Sequence, residues 1–456
     1  MKRYLLHLLA TIPLIFAACD KNGDDPDNPG AVEIENTVVT INTDGTTSSG
    51  VPFEWIPGSY DSEFSLNYIT YKVDYANTQV IVSGANKDGL QNRLDGKASI
   101  PKSIILDKIT YPITLVEKKA FYQCKELKSI NIPETVTKIE ESAFHGCTNL
   151  TNIQLYNGLS EISKNAFNSC EKLEFIQIPN SITKLGEYAF ADCHSLELFS
   201  DKLPSSIGYT LEKGVFMNCS SIKKITIPEE MHVLNNSAFK GCSSLEEFTA
   251  DDLYELKDSV FDGCSNLKNF STRVVSMGTA IFRNCRSLES ITVFTLNTIG
   301  TAWFQGCSSL KYINLTGEKP NHVENVRDYG LDGCSSLETL SIDRTIGMAA
   351  LRNCTSLKDL GCVILSPFSQ QPPFENVITE NLYISKYFFT QYKKGYYNND
   401  KGWNLKAKNV YVYSSSSAGD YSWSDDQIDE CKEIFQAEIV LKGTEDKYKQ
   451  AFGYSY

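Results

Sequence analysis

One eight-residue pattern recurs along most of this 456-residue chain, and it constrains the fold more than any other feature. Ala143–Leu150 reads Ala-Phe-His-Gly-Cys-Thr-Asn-Leu, and the pattern Ala-Phe-x-x-Cys-x-x-Leu returns at intervals of 20 to 27 residues. Self-similarity at a period of about 20 to 50 residues indicates a solenoid. The length of the chain therefore does not indicate how many globular domains it contains. Eleven cysteines mark the copies: Cys124, Cys147, Cys170, Cys193, Cys219, Cys242, Cys264, Cys285, Cys307, Cys334 and Cys354.

A second pattern follows each copy and predicts a short strand. Leu127–Pro133 reads Leu-Lys-Ser-Ile-Asn-Ile-Pro, and Leu173–Pro179 and Ile222–Pro228 repeat its apolar spacing. The isoleucines share one face of a strand, and the proline ends the strand because it cannot donate to a ladder. One strand cannot bury that face alone, so we expect the copies to stack at about 4.8 Å into a parallel sheet with internal Phe, Leu and Ile ladders. A third element, Val136–Ile139, leads along the opposite side to the next Ala-Phe.

From about Phe121 to Leu360, these residues resemble the BspA-like, treponemal-type leucine-rich repeat family, whose units of about 23 residues read Ala-Phe-x-x-Cys-x-x-Leu-x-x-Ile-x-Ile-Pro. The chain departs from the pattern in a longer insertion at Asp201–Phe216 and in Gly330-Leu331, which replaces Ala-Phe. We therefore predict a β-rich leucine-rich-repeat solenoid of about eleven repeats, with a β N-terminal cap and an aromatic C-terminal cap. The resemblance implies an exported surface lipoprotein that binds host or other extracellular partners, and it carries over no catalytic residue.

The N-terminal segment indicates export and lipid anchoring. Residues 1–18 combine a basic start with an apolar stretch that is too short and too interrupted to span a bilayer comfortably. The two alanines before Cys19 resemble a bacterial lipobox, from which Phe16 departs, so Cys19 is the predicted lipidation residue; ordinary signal-peptidase cleavage is the alternative. Residues 19–31 predict an acidic flexible tether. We expect a chain that is lipid-anchored to the outer membrane at the cell surface.

Caps are expected on both sides of the repeats, because exposed solenoid ends aggregate. Val38–Ile41 belongs either to the N-terminal cap or to a small separate module, and the aromatic-rich C-terminal segment is a cap core rather than a sugar-stacking platform. The predicted segments after the tether are an N-terminal β region and cap (32–115), the solenoid (116–366), a C-terminal capping repeat (367–413) and a Ser-rich link with a short helical tail (414–456).

The eleven repeat cysteines favour a column of reduced, buried thiols over disulfides. Side chains one rung apart in a ladder point in parallel and do not reach the dihedral of roughly 90° that a disulfide needs, whereas small buried thiols behave as apolar groups. Ligands about 23 residues apart in a ladder do not converge tetrahedrally either, so we expect neither zinc nor another metal or cofactor. Cys362 and Cys431 are also expected to be free.

The charge and the missing motifs exclude several classes of function. A net charge of −13 disfavours nucleic acid and electrostatic binding to an anionic membrane, which leaves the N-terminal lipid as the expected membrane contact. The sequence contains no nucleophile elbow, phosphate loop, His-Glu-x-x-His pair or dinucleotide fingerprint, and we predict no enzyme.

A binding face is expected where the residues flanking the first inward isoleucine of each strand point outward onto the concave sheet. This face is mostly small and uncharged, with Phe175 and Tyr312 as isolated aromatic residues, which suits an extracellular or host protein or glycan of modest affinity. A structural spacer without a ligand is the alternative, and a glycan-processing enzyme is less favoured. The candidate ligand-binding residues are Asn131, Gln154, Phe175, Gln177, Tyr312 and Asn314.

Overall fold

The computed structural model describes residues 38–362 apart from 43–45, 52, 58, 60–61, 86–95, 295 and 316–318, and then residues 372–398, 405–413, 423–443 and 445–452. The export segment 1–18, Cys19 and the tether 19–31 therefore lie outside the described residues. Within the described part, no helix is long and apolar enough to cross a membrane.

Short strands dominate the described part of the chain. The N-terminal strands are β1 (Val38–Thr40), β2 (Phe53–Trp55), β3 (Glu63–Leu66), β4 (Ile69–Asp74), β5 (Gln79–Ala85), β6 (Lys97–Ser99), β7 (Ser103–Leu106) and β8 (Ile109–Val116). The repeats contribute β9 (Ser129–Asn131), β10 (Lys138–Ile139), β11 (Asn152–Gln154), β12 (Glu161–Ile162), β13 (Phe175–Ile176), β14 (Lys184–Leu185), β15 (Glu197–Leu198), β16 (Thr210–Leu211), β17 (Lys224–Thr226), β18 (Val233–Leu234), β19 (Glu247–Thr249), β20 (Asp252–Leu256), β21 (Asn269–Ser271), β22 (Arg273–Met277), β23 (Ser290–Thr292), β24 (Thr298–Ile299), β25 (Tyr312–Asn314), β26 (His322–Val326), β27 (Thr339–Ile346) and β28 (Asp359–Cys362). The C-terminal part contributes β29 (Ile378–Ser385), α1 (Lys386–Asn398), β30 (Lys406–Tyr413), α2 (Asp425–Phe435), β31 (Ile439–Lys442) and α3 (Glu445–Phe452).

Each repeat places its strands in two parallel sheets around one core, which confirms the predicted solenoid. The first sheet is formed by β6, β9, β11, β13 and β15, then by β17 with β19, and then by β21, β23 and β25. The second sheet is formed by β8, β10, β12 and β14, then by β16, β18, β20 and β22, and then by β24 and β26. The single long strand β27 pairs with both β26 and β28, so the two sheets join there.

The Ala-Phe-x-x-Cys turns stack through backbone hydrogen bonds in every repeat. In one turn, the N–H groups of Ser142, Phe144 and Gly146 donate to carbonyls of the next repeat at 2.8 to 2.9 Å. Ser142 and Gly146 adopt left-handed backbone (φ 58° and 74°), and the equivalent positions of the other turns do the same. A left-handed residue costs an L-amino acid about 1 kcal/mol or more, and here it aims alternate N–H groups at the neighbouring repeat. We call this stack the turn column.

Phenylalanine rings stack face to face beside the turn column, as the repeat pattern predicts. Nine buried rings run from Phe121 to Phe304, with neighbouring centroids 4.9 to 5.9 Å apart and planes within 9° of parallel. Leu331 and Leu351 take the same position in the last two repeats and are fully buried. The ladder therefore continues where the aromatic residue is lost.

The cysteines form the predicted column of buried, reduced thiols. Every described cysteine is free and buried, including Cys362 and Cys431. Ten repeat cysteines direct Sγ at the carbonyl of the Phe or Leu of the preceding repeat, at 3.0 to 3.2 Å. Burial raises the pKa of nine of these thiols, from Cys170 to Cys354, and to about 12 for Cys242. A small side chain with a weak donor fits this position, which explains why cysteine recurs there.

The N-terminal cap is continuous with the solenoid. Strands β2 to β5 form an antiparallel meander, and β5 pairs in parallel with β8, which pairs with β10 of the first full repeat. β1 pairs with β7, and Val39 lies fully buried in the common core, so this strand belongs to the cap rather than to a separate module.

The C-terminal segment also extends the stack. β28 to β31 pair in parallel, and α1 and α2 connect the successive strands. Phe388, Phe389 and Tyr392 are buried, which supports the cap core rather than a sugar platform. A capping box at Ser424 begins α2, within the segment predicted as a short helical tail. The tail thus contains a strand, β31, and a second helix, α3, besides the helix that the sequence predicts.

A truncation in the middle of the ring ladder tests the core packing. Phe239 is fully buried and stacks between Phe216 and Phe261, whereas Phe294 is half exposed. We expect Phe239→Ala to lower the free energy of unfolding by about 3 to 5 kcal/mol, because it leaves a cavity in a packed ladder. The same change at Phe294 serves as the control and should alter stability by about 0.5 kcal/mol or less. Equal losses in urea denaturation of the two variants would contradict the ladder.

Candidate binding face

The structure brings four of the six candidate binding residues together on the outer face of the first sheet. Asn131 lies opposite Gln154 on the neighbouring strand, and Asn152 lies opposite Phe175 on the next. Gln154, Phe175 and Gln177 are exposed, and Asn131 is half-buried. The burial alternates along these strands as the sequence predicts, with Ile130, Ile153 and Ile176 in the core.

Tyr312 is exposed on the same sheet face, but far from this group. It belongs to β25, six strands beyond β13, which corresponds to about 30 Å at the usual strand spacing. Phe175 and Tyr312 therefore cannot line one pocket for a small ligand. They can contact one partner only if that partner is large.

The prediction that Asn314 is open to a ligand is wrong, since only 8% of this residue is exposed. The chain folds back beside β25, where Asn321 forms the hydrogen bonds that a neighbouring strand would otherwise form. Its N–H donates to the Ile313 carbonyl at 2.6 Å, and its side-chain oxygen accepts from the Ile313 N–H at 2.7 Å. Its amide nitrogen also donates to the Thr339 hydroxyl at 2.9 Å. This return removes the end of β25, and Asn314 with it, from the open face.

Helix α3 covers the first sheet beyond this point. Ser341, which the strand register predicts on the open face, is fully buried and hydrogen-bonded to the Tyr448 hydroxyl. Phe452 packs against Tyr383 with ring centroids 5.3 Å apart, and it also lies over Gly361, where an added Cβ would come within 3.2 Å of its ring. The open part of the face thus ends at β25.

A further exposed aromatic residue, Phe199, lies beside Phe175. Glu197 pairs with Phe175 and Leu198 with Ile176, so Phe199 follows on the outer face, one strand over and two residues along from Phe175. The two positions are about 8 Å apart. Phe175 is 57% exposed and Phe199 is 53% exposed.

The repeat pattern does not predict that Phe199 is exposed, because the strand before it is shifted by one residue. Counting from Leu196, the repeat template places Phe199 at an inward isoleucine position. In the structure Leu198 takes that position, and a one-residue slip turns every side chain to the other face. The alternation Leu196-Glu197-Leu198 is the signal for this shift in the sequence.

A bulge that begins at Phe199 interrupts the first sheet. β15 does not pair with β17; instead Lys202 pairs with Thr226, whose N–H donates to the Asp201 carbonyl at 2.6 Å. Residues 199–201 are the extra residues of the bulge. Bulges re-aim side chains and are common beside functional sites, and this one lies next to the Phe175–Phe199 pair.

Two lysines near the aromatic pair form ion pairs within the protein. Lys223 lies 3.4 Å from Glu197, and Lys224 lies 3.0 Å from Glu247. The hydrogen bond that Lys224 donates to Glu247 raises the pKa of Lys224. Surface pairs of this kind add little stability, but they leave apolar contact as the main feature of this part of the face.

A groove beside the second sheet is lined by alternating lysines and glutamates. Lys118 pairs with Glu141 at 2.8 Å, and Lys164 pairs with Glu187 at 2.7 Å. The Lys118 hydrogen bond holds the pKa of Glu141 below its usual value, whereas a carboxyl that acts as a general acid needs a raised pKa. This groove is therefore lined by a ladder of ion pairs.

Comparisons with known proteins agree with this architecture. The family model of the BspA type leucine-rich repeat region matches six copies, over residues 114–246, 200–311 and 275–400. No curated protein matches this sequence. Among solved structures, a leucine-rich repeat protein from Bacteroides ovatus ATCC 8483 is 24% identical, with 73% of this chain and 97% of that chain covered and a TM-score of 0.51.

Two further solved structures show lower structural similarity. A leucine-rich repeat protein from T. pallidum is 26% identical, with 48% of this chain and 88% of that chain covered and a TM-score of 0.37. A leucine-rich cell surface protein from Faecalibacterium prausnitzii A2-165 is 18% identical, with 67% and 94% covered and a TM-score of 0.37. Because the family model spans residues 114–400, more than half of the 456 residues, the chain belongs to the BspA-type leucine-rich repeat family.

Proposed function

We propose that this chain is a non-catalytic surface protein that binds an extracellular protein or glycan through the outer face of its first sheet. The observation that carries the proposal is the exposed pair of Phe175 and Phe199 on adjacent strands. Large exposed apolar side chains that cluster mark interaction sites more often than single ones do. Aromatic residues are also enriched among the few contacts that dominate binding energy.

The face suits a large partner. Small-molecule sites are concave pockets that bury most of their ligand, whereas these side chains lie on a sheet surface that extends from β9 to β25. The backbone of the sheet is held in place by the repeats on either side, so binding orders few additional groups. A protein surface or an extended glycan chain is the class of partner that such a face can contact along its length.

We further propose that Cys19 carries a lipid that anchors the chain to the outer membrane, with residues 19–31 as the tether. The support comes from the sequence around Cys19 and the polar, acidic composition of the tether. An anchored solenoid with an open sheet face suits adhesion or recognition at the cell surface.

If Cys19 carries the lipid anchor, its replacement removes the attachment of the chain to the membrane. We expect Cys19→Ala to abolish incorporation of a labelled fatty acid and to move the chain from the membrane fraction into the soluble fraction, because one thioether carries the diacylglycerol. Cys431→Ala, which removes a buried thiol, should keep the label. Unchanged fatty-acid labelling of the Cys19 variant would rule out this anchor.

The aromatic pair is tested with the soluble form that begins after Cys19, on arrays of purified matrix proteins and glycans. We expect a ligand for the wild type, and a rise in its Kd of about tenfold or more for Phe175→Ala with Phe199→Ala, since two central aromatic contacts are lost. Tyr387→Ala, which removes an exposed tyrosine on α1 outside the open face, should leave the Kd unchanged. Adding Tyr312→Ala to the double variant measures how far the footprint extends.

Two outcomes would contradict the proposal. The first is a wild type that captures no member of the arrays, which favours a spacer without a ligand. The second is that every captured ligand has the same Kd for the wild type and for the Phe175 and Phe199 double variant. Thermal unfolding of each variant confirms that the fold is intact.

A further inference from the structure

We propose that the outer face of the second sheet carries a separate binding surface for a neutral, extended β-1,4-linked glycan, built on Tyr209 and Tyr254. This surface consists of Tyr209, His232, Tyr254 and Val275, and we call it the tyrosine row. It lies on the other sheet from Phe175 and Phe199 and does not depend on the function proposed for them.

The four residues of the tyrosine row take the same position on four successive strands. Thr210 pairs with Val233, and the Val233 and His232 N–H groups both donate to the Tyr209 carbonyl, at 3.1 and 2.9 Å. The Tyr254 N–H in turn donates to the His232 carbonyl at 2.8 Å. The pairing of β20 with β22 then places Tyr254 beside Val275.

The row is exposed, and it is confined to these repeats. Tyr209 and Tyr254 are each 55% exposed, and Val275 is 49% exposed. The equivalent residues of the repeats before it are Thr137, Ser160 and Thr183, and the residue after it is Asn297. An outer sheet face therefore does not require aromatic residues at this position, and their presence in one stretch needs another explanation.

The spacing of the two tyrosines suits a glycan. They are two strands apart, which is about 10 Å at the usual strand spacing. In an extended β-1,4-linked chain, successive sugars are rotated by half a turn, so the same face recurs with every second sugar, over a length close to that of two strands. Each tyrosine can then stack on the C–H face of a sugar while its hydroxyl remains in water.

His232 lies between the two tyrosines and adds a polar group. Its ring centroid is 5.1 Å from that of Tyr209, and its Nδ1 lies 3.3 Å from the Asp252 carbonyl. A carbonyl oxygen only accepts, so Nδ1 donates and Nε2 of the neutral ring is the nitrogen that can accept from a sugar hydroxyl. The row therefore combines two stacking rings with a hydrogen-bond acceptor between them.

Charge selects a neutral glycan over a polyanion. Lys257 forms an ion pair with Glu255 at 2.7 Å, and Arg273 lies in register with Asp252 on the neighbouring strand, so each of these cations has a carboxylate residue nearby. Three more exposed carboxylates precede His232 and Tyr254 in the chain: Glu229, Glu230 and Asp251. The surface is thus net acidic, as is the whole chain at −13. It repels sulfated or uronic-acid glycans, nucleic acids and a second copy of this chain.

The test uses the full chain and neutral β-1,4-linked hexasaccharides of glucose, mannose and xylose, with heparin as the polyanion, in calorimetric titrations. We expect at least one neutral hexasaccharide to bind and heparin not to bind. Tyr209→Ala with Tyr254→Ala should weaken that binding about tenfold or more, because both stacking rings are lost. Tyr387→Ala, which removes a tyrosine that is 48% exposed on α1, should leave it unchanged.

The Phe175 and Phe199 double variant separates this proposal from the preceding one. We expect that variant to retain full hexasaccharide affinity. Loss of affinity there, with none in the Tyr209 and Tyr254 variant, would place the glycan on the first sheet and overturn the tyrosine row while leaving the proposed function standing. Failure of all three hexasaccharides to bind the wild type, or stronger binding of heparin, would also overturn it. Circular dichroism of each variant confirms that the strands are retained.

Discussion

The hydrogen bonds between successive Ala-Phe-x-x-Cys turns are the interaction on which the rest of this structure depends. Each turn donates three N–H groups to the next, and the series continues without a break from Lys119 to Glu375. The first sheet, in contrast, is interrupted after β15, β19 and β25. The turn column, with the stacked rings and thiols beside it, therefore keeps the repeats in register where the sheet does not.

Because the turn column rather than the sheet keeps the repeats in register, the outer face of the sheet can vary between repeats. Because the turns hold the repeats together, a strand can shift by one residue or bulge without ending the solenoid. The shift at β15 exposes Phe199, and the bulge at 199–201 follows it directly. Asn321 similarly links β25 to β27, because its side chain and backbone form hydrogen bonds with both strands. Both exposed aromatic surfaces of the solenoid lie beside the insertion that begins near Asp201.

The repeat spacing alone predicted the solenoid, the ring ladder, the buried thiols and most of the strand register, because each copy meets the same surroundings as its neighbours. It also placed Asn131, Gln154, Phe175 and Gln177 correctly. It failed at Phe199, Asn314 and Ser341, where the environment is not periodic. Phe199 depends on a one-residue slip, Asn314 on the return of the chain at Asn321, and Ser341 on contact with Tyr448, which is 107 residues away. The tyrosine row required the strand pairing, since His232 and Val275 carry no common sequence signal.

Amide hydrogen exchange of the native chain tests the primacy of the turn column most directly. If the column holds the register, the amides of Phe190, Asp192, Phe216 and Asn218, which flank the break after β15, exchange as slowly as those of Phe144 and Phe167 in the unbroken part. The amides of the first sheet at 199–203 exchange faster. Turn amides that lose their protection together with the sheet at this break would contradict the account.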